Sequence, residues 1–102
     1  ANNSYYVNYN DIVRNKIKQS VFKYINDPKF KPGTLCLTFV LTADGNLKNV
    51  SIVEEKTTAG VFLRDVGIKS VREAAPFEPF PAEIRNYPEL SFNIVFSFNV
   101  YK

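Results

Sequence analysis

Leu90-Ser-Phe-Asn-Ile-Val-Phe-Ser-Phe-Asn-Val-Tyr101 sets Leu90, Phe92, Ile94, Phe96, Phe98 and Val100 on one side of an extended chain and Ser91, Asn93, Val95, Ser97, Asn99 and Tyr101 on the other. Period-two alternation of this kind predicts a β-strand with one buried face. Each fully buried member contributes roughly 1.5–3 kcal/mol, and a slip of one residue would turn the whole apolar set toward water, so the register is strongly specified. The stretch holds no Lys, Arg, Asp, Glu or Pro, which are the residues that ordinarily keep a sheet edge from pairing with another chain. The strand is therefore either internal to its sheet or meant to be paired at its edge.

Working back from this strand, Tyr87-Pro88 makes the corner before it, and Pro76-Phe-Glu-Pro-Phe-Pro81 is expected to run extended because each proline fixes its own φ and disfavours helix in the residue before it. Phe77 and Phe80 are the anchors of that crossover. Ahead of it, Leu63, Val66, Gly67, Ser70, Val71 and Ala74 recur at helical spacing and predict a second helix with a narrow, partly small buried face, ended by Pro76. Gly67 costs roughly 1 kcal/mol against alanine in a helix interior, which a close approach to the sheet would offset. Leu35, Leu37, Phe39 and Leu41 alternate with Thr34, Cys36, Thr38, Val40 and Thr42, and Asp44-Gly45 turns that strand into a return strand carrying Leu47, Val50 and Ile52. The three-residue step from Leu47 to Val50 predicts a bulge. Val13, Ile17, Val21, Tyr24 and Ile25 predict a first helix from Asp11, stopped by Asn26-Asp27-Pro28. Residues 1–10 show no period and read as an extended lead-in, docked if at all through Tyr5, Tyr6 or Tyr9, and residues 11–102 as one domain.

The order is helix, strand, strand, helix, strand. If the crossover between the second and third strands is right-handed and skips one position, the result is an α+β fold (α-β-β-α-β) with a three-stranded antiparallel or mixed sheet in the order 2-1-3 and two helices on one face. In that order the last strand is an edge. The face carrying Leu35, Phe39, Phe92 and Phe96 is covered, and the face carrying Thr34, Thr38, Asn93, Ser97 and Asn99 is largely wet.

The 102 residues include nine Phe and six Tyr, enough aromatic volume for one core, but no Trp, Met or His. Six basic residues (Arg14, Lys16, Lys18, Lys23, Lys29, Lys31) stand against Asp11 and Asp27 between positions 11 and 31, a local +4 that leaves the remainder at −1. A solvated helix face explains it, and a weak attraction to an acidic partner or membrane surface is the alternative. Cys36 has no second cysteine to pair with and reads as a half-buried bystander thiol. No run is long and apolar enough to span a membrane, and no basic-then-apolar signal opens the chain, whose Ala-Asn-Asn-Ser start fits a piece of a longer protein. Lack of histidine excludes nucleophilic triads and histidine-bearing zinc sites, and of the ten carboxylates only Glu54 and Glu55 adjoin, on opposite faces of a strand. No catalytic residue, metal site or cofactor is expected. The four glycines are scattered, so no phosphate loop is present, and the open face lacks the aromatics that stack bases. Nucleic acid is a minor alternative resting on the basic first helix.

Four pieces together resemble the C-terminal domain of the TonB and TolA energy transducers: Ile12-Val-Arg14 with Ile17; Thr38-Phe-Val-Leu-Thr-Ala-Asp-Gly45 with Leu47, Val50 and Ile52; Val71-Arg-Glu-Ala-Ala-Pro-Phe-Glu-Pro-Phe-Pro81; and Leu90-Ser-Phe-Asn-Ile-Val-Phe-Ser-Phe98. The likeness covers about Tyr9 to Val100. Lys56-Thr-Thr-Ala-Gly60 and Leu63-Arg-Asp-Val-Gly-Ile68 depart from the family's usual second-helix approach and start. TolA-type domains can pair a first-strand cysteine with one in the second helix; Cys36 has no such partner, which favours the TonB side. The resemblance implies a periplasmic, non-catalytic adaptor, tethered by an upstream segment to an inner-membrane helix and a proton-driven motor. It also implies a grip on the TonB box of an outer-membrane transporter as a strand added along Ser91, Phe92, Asn93, Ile94, Val95, Phe96, Ser97, Phe98 and Asn99. The residues support that mode independently, since an unguarded edge offers main-chain hydrogen bonds to varied partners. A TolA-like role in envelope maintenance and a homodimer using the same edge are the alternatives.

Overall fold

The computed structural model describes residues 3–24 and 26–98 of the chain. Its elements are α1 (Asn3–Phe22), β1 (Gly33–Thr42), β2 (Leu47–Ile52), a 3-10 turn at Glu54–Lys56, α2 (Val61–Ala74), a 3-10 turn at Ala82–Ile84 and β3 (Glu89–Phe98). β1 is central and antiparallel to both neighbours, giving the order β2-β1-β3. The α+β fold with a 2-1-3 sheet is the one expected from the sequence, and the sheet is antiparallel throughout. Leu35, Leu37, Phe39 and Leu41 of β1 and Phe92, Ile94 and Phe96 of β3 are buried in one cluster with residues of both helices. Alternation thus sets the core, as period-two patterning requires. The bulge falls where the step from Leu47 to Val50 puts it: Val40 pairs with Asn49 but Leu41 with Leu47, leaving Lys48 as the extra residue.

α2 buries Leu63, Val66, Gly67, Ser70, Val71 and Ala74, the face read from spacing. A Cβ added at Gly67 would collide with Leu35 Cδ2 and lie 3.4 Å from Leu37 Cδ1, so the small residue is what lets the helix reach the sheet. Gly67→Ala gains roughly 1 kcal/mol of helix propensity but overpacks a fully buried site at about 1–3 kcal/mol, so a net loss of about 1 kcal/mol is expected, read as a lower urea midpoint. The crossover is clamped to the tip of the β1–β2 hairpin by Phe77 N–H donating to Gly45 O (2.8 Å) and Phe80 N–H to Ala43 O (2.9 Å). Gly45 has φ +89°, and a Cβ there would run into the Phe77 carbonyl. Phe77 and Phe80 are both buried, as anchors must be.

The amino-terminal reading needs correction. Residues 3–10 are not an extended lead-in, because α1 already begins at Asn3. Tyr6 and Tyr9 extend the Val13, Ile17, Val21 stripe by two further turns. Tyr6 stacks on Phe92 (5.4 Å, 6° between planes), and Tyr9 meets Phe80 edge-on at 5.3 Å. Long-range packing therefore makes helix of a stretch whose asparagines and tyrosines favour it weakly. The helix also stops earlier than Asn26-Asp27-Pro28, at Phe22, where Lys23 N–H to Ser20 O and Tyr24 N–H to Val21 O tighten the last turn. Ile25, expected in the core, lies outside the described residues. Cys36 is buried rather than half-buried. The stretch after β2, which includes the 3-10 turn, runs beside it: Val53 N–H donates to Cys36 O, and the Thr57 hydroxyl accepts from Cys36 N–H at 3.1 Å.

Tyr9 is buried, and its hydroxyl donates to the Glu78 carbonyl. Burial, with a smaller push from the Glu78 charge, raises its pKa from 10.0 to about 12. The folded chain thus holds a proton that the unfolded chain releases above about pH 10, so this contribution is full below pH 10 and is lost as pH rises toward 12. An alkaline melting series should show that decline, and Tyr9→Phe should flatten it.

Candidate functional site

The backbone bonds of β1 determine which residues of β3 face outward. Thr34 O accepts from Thr58 and Ala59, and Cys36 O from Val53, so the even-numbered residues of β1 address the β2 side. Its odd-numbered residues then address β3, where Leu35, Leu37 and Phe39 lie opposite Phe96, Ile94 and Phe92. The amide and carbonyl groups of Phe92, Ile94 and Phe96 are thus used within the sheet, and Thr38 Oγ1 also donates to Phe92 O. Ser91, Asn93, Val95 and Ser97 turn theirs away, because backbone groups alternate along a strand. Their side chains are exposed on the open face, Val95 at 52%. Among the described residues no strand lies on the outer side of β3.

Helix α1 flanks this edge. Lys18, Val21 and Phe22 line an open groove of about 340 Å³ with Val95, Phe96, Ser97 and Phe98. Phe22 is 61% exposed at its mouth. Arg14 stands one helical turn before Lys18, and its Nε is shut from solvent without a hydrogen-bond partner. The only ion pairs among the described residues, Lys48–Glu89 (2.8 Å) and Arg64–Glu54 (2.7 Å), lie elsewhere. At the other end of the strand, the Tyr6 hydroxyl donates to Ser91 O at 3.0 Å. The floor and flank are therefore apolar, one margin is basic, and the wall is a row of outward peptide groups, with the Ser91 carbonyl taken by Tyr6. Such a surface offers main-chain hydrogen bonds to an extended segment.

The nine residues read from the sequence as a binding stretch divide accordingly. Ser91, Asn93, Val95 and Ser97 present outward groups, Phe92, Ile94, Phe96 and Phe98 support them from the core side, and Asn99 lies outside the described residues. Sequence reasoning did not place Tyr6, Lys18 and Phe22 at this edge: Tyr6 lay ahead of the helix start expected at Asp11, and Lys18 and Phe22 lay inside that helix with no signal for which strand it flanks. Two of the six basic residues have internal partners: Lys16 Nζ donates to Pro76 O at 2.8 Å and stands over the Phe77 ring, and Lys29 stands over Phe62.

No protein-family model and no curated protein sequence matches the chain. Two solution structures of the Helicobacter pylori TonB C-terminal domain, a longer and a shorter version, do match in three dimensions. Each superposes with a TM-score of 0.60 at 18% identity over 85% of this chain, and over 79% and 92% of the respective neighbours. The fold is that of a TonB C-terminal domain. In this TonB-type fold the margin of the ten-residue β3 is the longer of the two sheet edges among the described residues, the other being the six-residue β2, which the Val53–Thr58 stretch follows along β1.

Proposed function

We propose that this chain is a TonB-like, non-catalytic adaptor domain that takes up a short extended segment of an outer-membrane transporter as a fourth strand beside β3 and passes force to it. The observation that carries the reading is the outward row of Ser91, Asn93, Val95 and Ser97, uncharged, unpaired by any strand among the described residues and bordered by the groove at Phe22. Strand addition draws its affinity from main-chain hydrogen bonds. At ~0.5–1.5 kcal/mol net per bond, a handful gives a modest, reversible grip suited to capture under load. The resemblance in fold supports a periplasmic setting and an inner-membrane motor reached through a segment outside this chain.

Titrating the isotope-labelled chain with peptides from the amino-terminal segments of outer-membrane transporters should shift the amides of Asn93, Val95 and Ser97. Shifts restricted to α1 would remove the reading. A second copy of the chain is the competing occupant of the same edge, and sedimentation at two concentrations separates it from a heterologous strand.

A further inference from the structure

The outward edge is not uniformly open. Among the outward carbonyls of Ser91, Asn93, Val95 and Ser97, that of Ser91 already accepts a hydrogen bond, from the Tyr6 hydroxyl at 3.0 Å. That phenol is held from two sides. Its ring lies flat on Phe92 (5.4 Å, 6°), and Phe92 is itself fully buried against Phe39 and Tyr9. One turn on, the Tyr9 hydroxyl is tied to the Glu78 carbonyl, which pins this part of α1 in place. At the opposite end of the strand the flank is open: the groove at Lys18, Val21 and Phe22 runs beside Val95–Phe98 with Phe22 largely exposed. A fourth strand approaching from solvent thus finds its hydrogen-bond partners at Asn93, Val95 and Ser97, and a ring and an occupied carbonyl at Ser91.

Resting on the strand-addition reading above, we propose that Tyr6 is a register stop: it closes the Ser91 end of the edge, so that an added strand pairs from Asn93 onward with its helix-side residues in the groove at Phe22. The consequence is specificity by position. Side chains alternate along the added strand, so fixing its end decides which of them face α1 and which face the open side. Without the stop, the partner gains one more outward carbonyl and a choice of registers. The Tyr6 hydroxyl is protonated at neutral pH, and burial raises its pKa above the ordinary 10.0, so it remains a donor well into the alkaline range.

The test uses the labelled chain with a capped octapeptide of alternating threonine and valine bearing one added lysine, and compares Tyr6→Phe and Tyr6→Ala with the parent. Tyr6→Phe keeps the stacked ring and removes the donor; Tyr6→Ala removes both, and circular dichroism reports whether α1 persists. In the parent, amide shifts should cover Asn93, Val95 and Ser97 and stop short of Ser91. In both variants they should extend to Ser91, with affinity higher by about two- to tenfold, the value of one more main-chain bond. A parent footprint that already includes Ser91, or variants with the parent's footprint and affinity, would overturn the register stop while leaving strand addition intact. Absence of any shift at Asn93, Val95 and Ser97 would overturn strand addition and the stop with it.

Discussion

Proline at position 94 is expected to abolish the folded sheet, whereas proline one residue later, at 95, leaves it standing and removes strand docking. Ile94 lies opposite Leu37, and its N–H is used toward β1. Ile94→Pro deletes that ladder bond, strands a buried Leu37 carbonyl and replaces a side chain that is 1% exposed. Together these cost about 5 kcal/mol or more, comparable to the whole stability of a small domain. Val95 turns its N–H outward and is half exposed, so Val95→Pro sits where edge strands tolerate proline, at a cost of about 1 kcal/mol or less. Its ring blocks the position that an added strand's carbonyl must take, and affinity for transporter peptides should fall more than tenfold. Thermal melts and amide titrations of the two variants check both halves. Equal destabilisation by the two prolines would mean that the inward and outward residues of β3 have been assigned wrongly.

Phe92→Ala should be the most damaging ordinary substitution. Phe92 is fully buried, opposite Phe39 in the ladder, with its ring 5.4 Å from Tyr6, 5.7 Å from Phe39 and 5.9 Å from Tyr9. Removing it costs about 3–5 kcal/mol through lost burial and the cavity left behind. The loss should also have a location. The first two turns of α1 are bound to the sheet largely through Tyr6 and Tyr9, so amides near Tyr6–Tyr9 should lose exchange protection before those of α2. Denaturation in urea gives the magnitude and hydrogen exchange gives the place. A loss under about 1 kcal/mol would contradict the position of Phe92 at the centre of the core.

The parts of this fold legible in the sequence are those in which a local period and burial coincide. The alternation from Leu90 to Phe98 could satisfy its apolar face in only one register. The face of α2 from Leu63 to Ala74 followed from spacing, and the Leu47 to Val50 step betrayed the bulge. The 2-1-3 order came from the geometry of crossovers rather than from any residue. The start of α1 was hidden because what makes Asn3–Asn10 helical is not local: it is the contact of Tyr6 with Phe92 and of Tyr9 with Phe80, at the far end of the chain. Cys36 alternates onto the open side of β1, and nothing in its neighbours announces that Val53–Thr58 will close over it. For the candidate edge, the absence of charge from Leu90 to Tyr101 was visible and the division into inward and outward residues was not. That division depends on which residues of β1 bond to Val53 and Thr58 on its other side. Tyr6, Lys18 and Phe22 become part of the edge only once α1 is laid along it.

The most direct measurement is hydrogen exchange at single residues of β3, with and without a saturating transporter segment. The amides of Phe92, Ile94 and Phe96 should be protected in both states, while those of Asn93, Val95 and Ser97 should exchange rapidly in the free chain and slow markedly when the segment is bound. Outward amides that stay unprotected with the segment bound, or that are already protected in the free monomer, would contradict an open edge that works by taking in a strand.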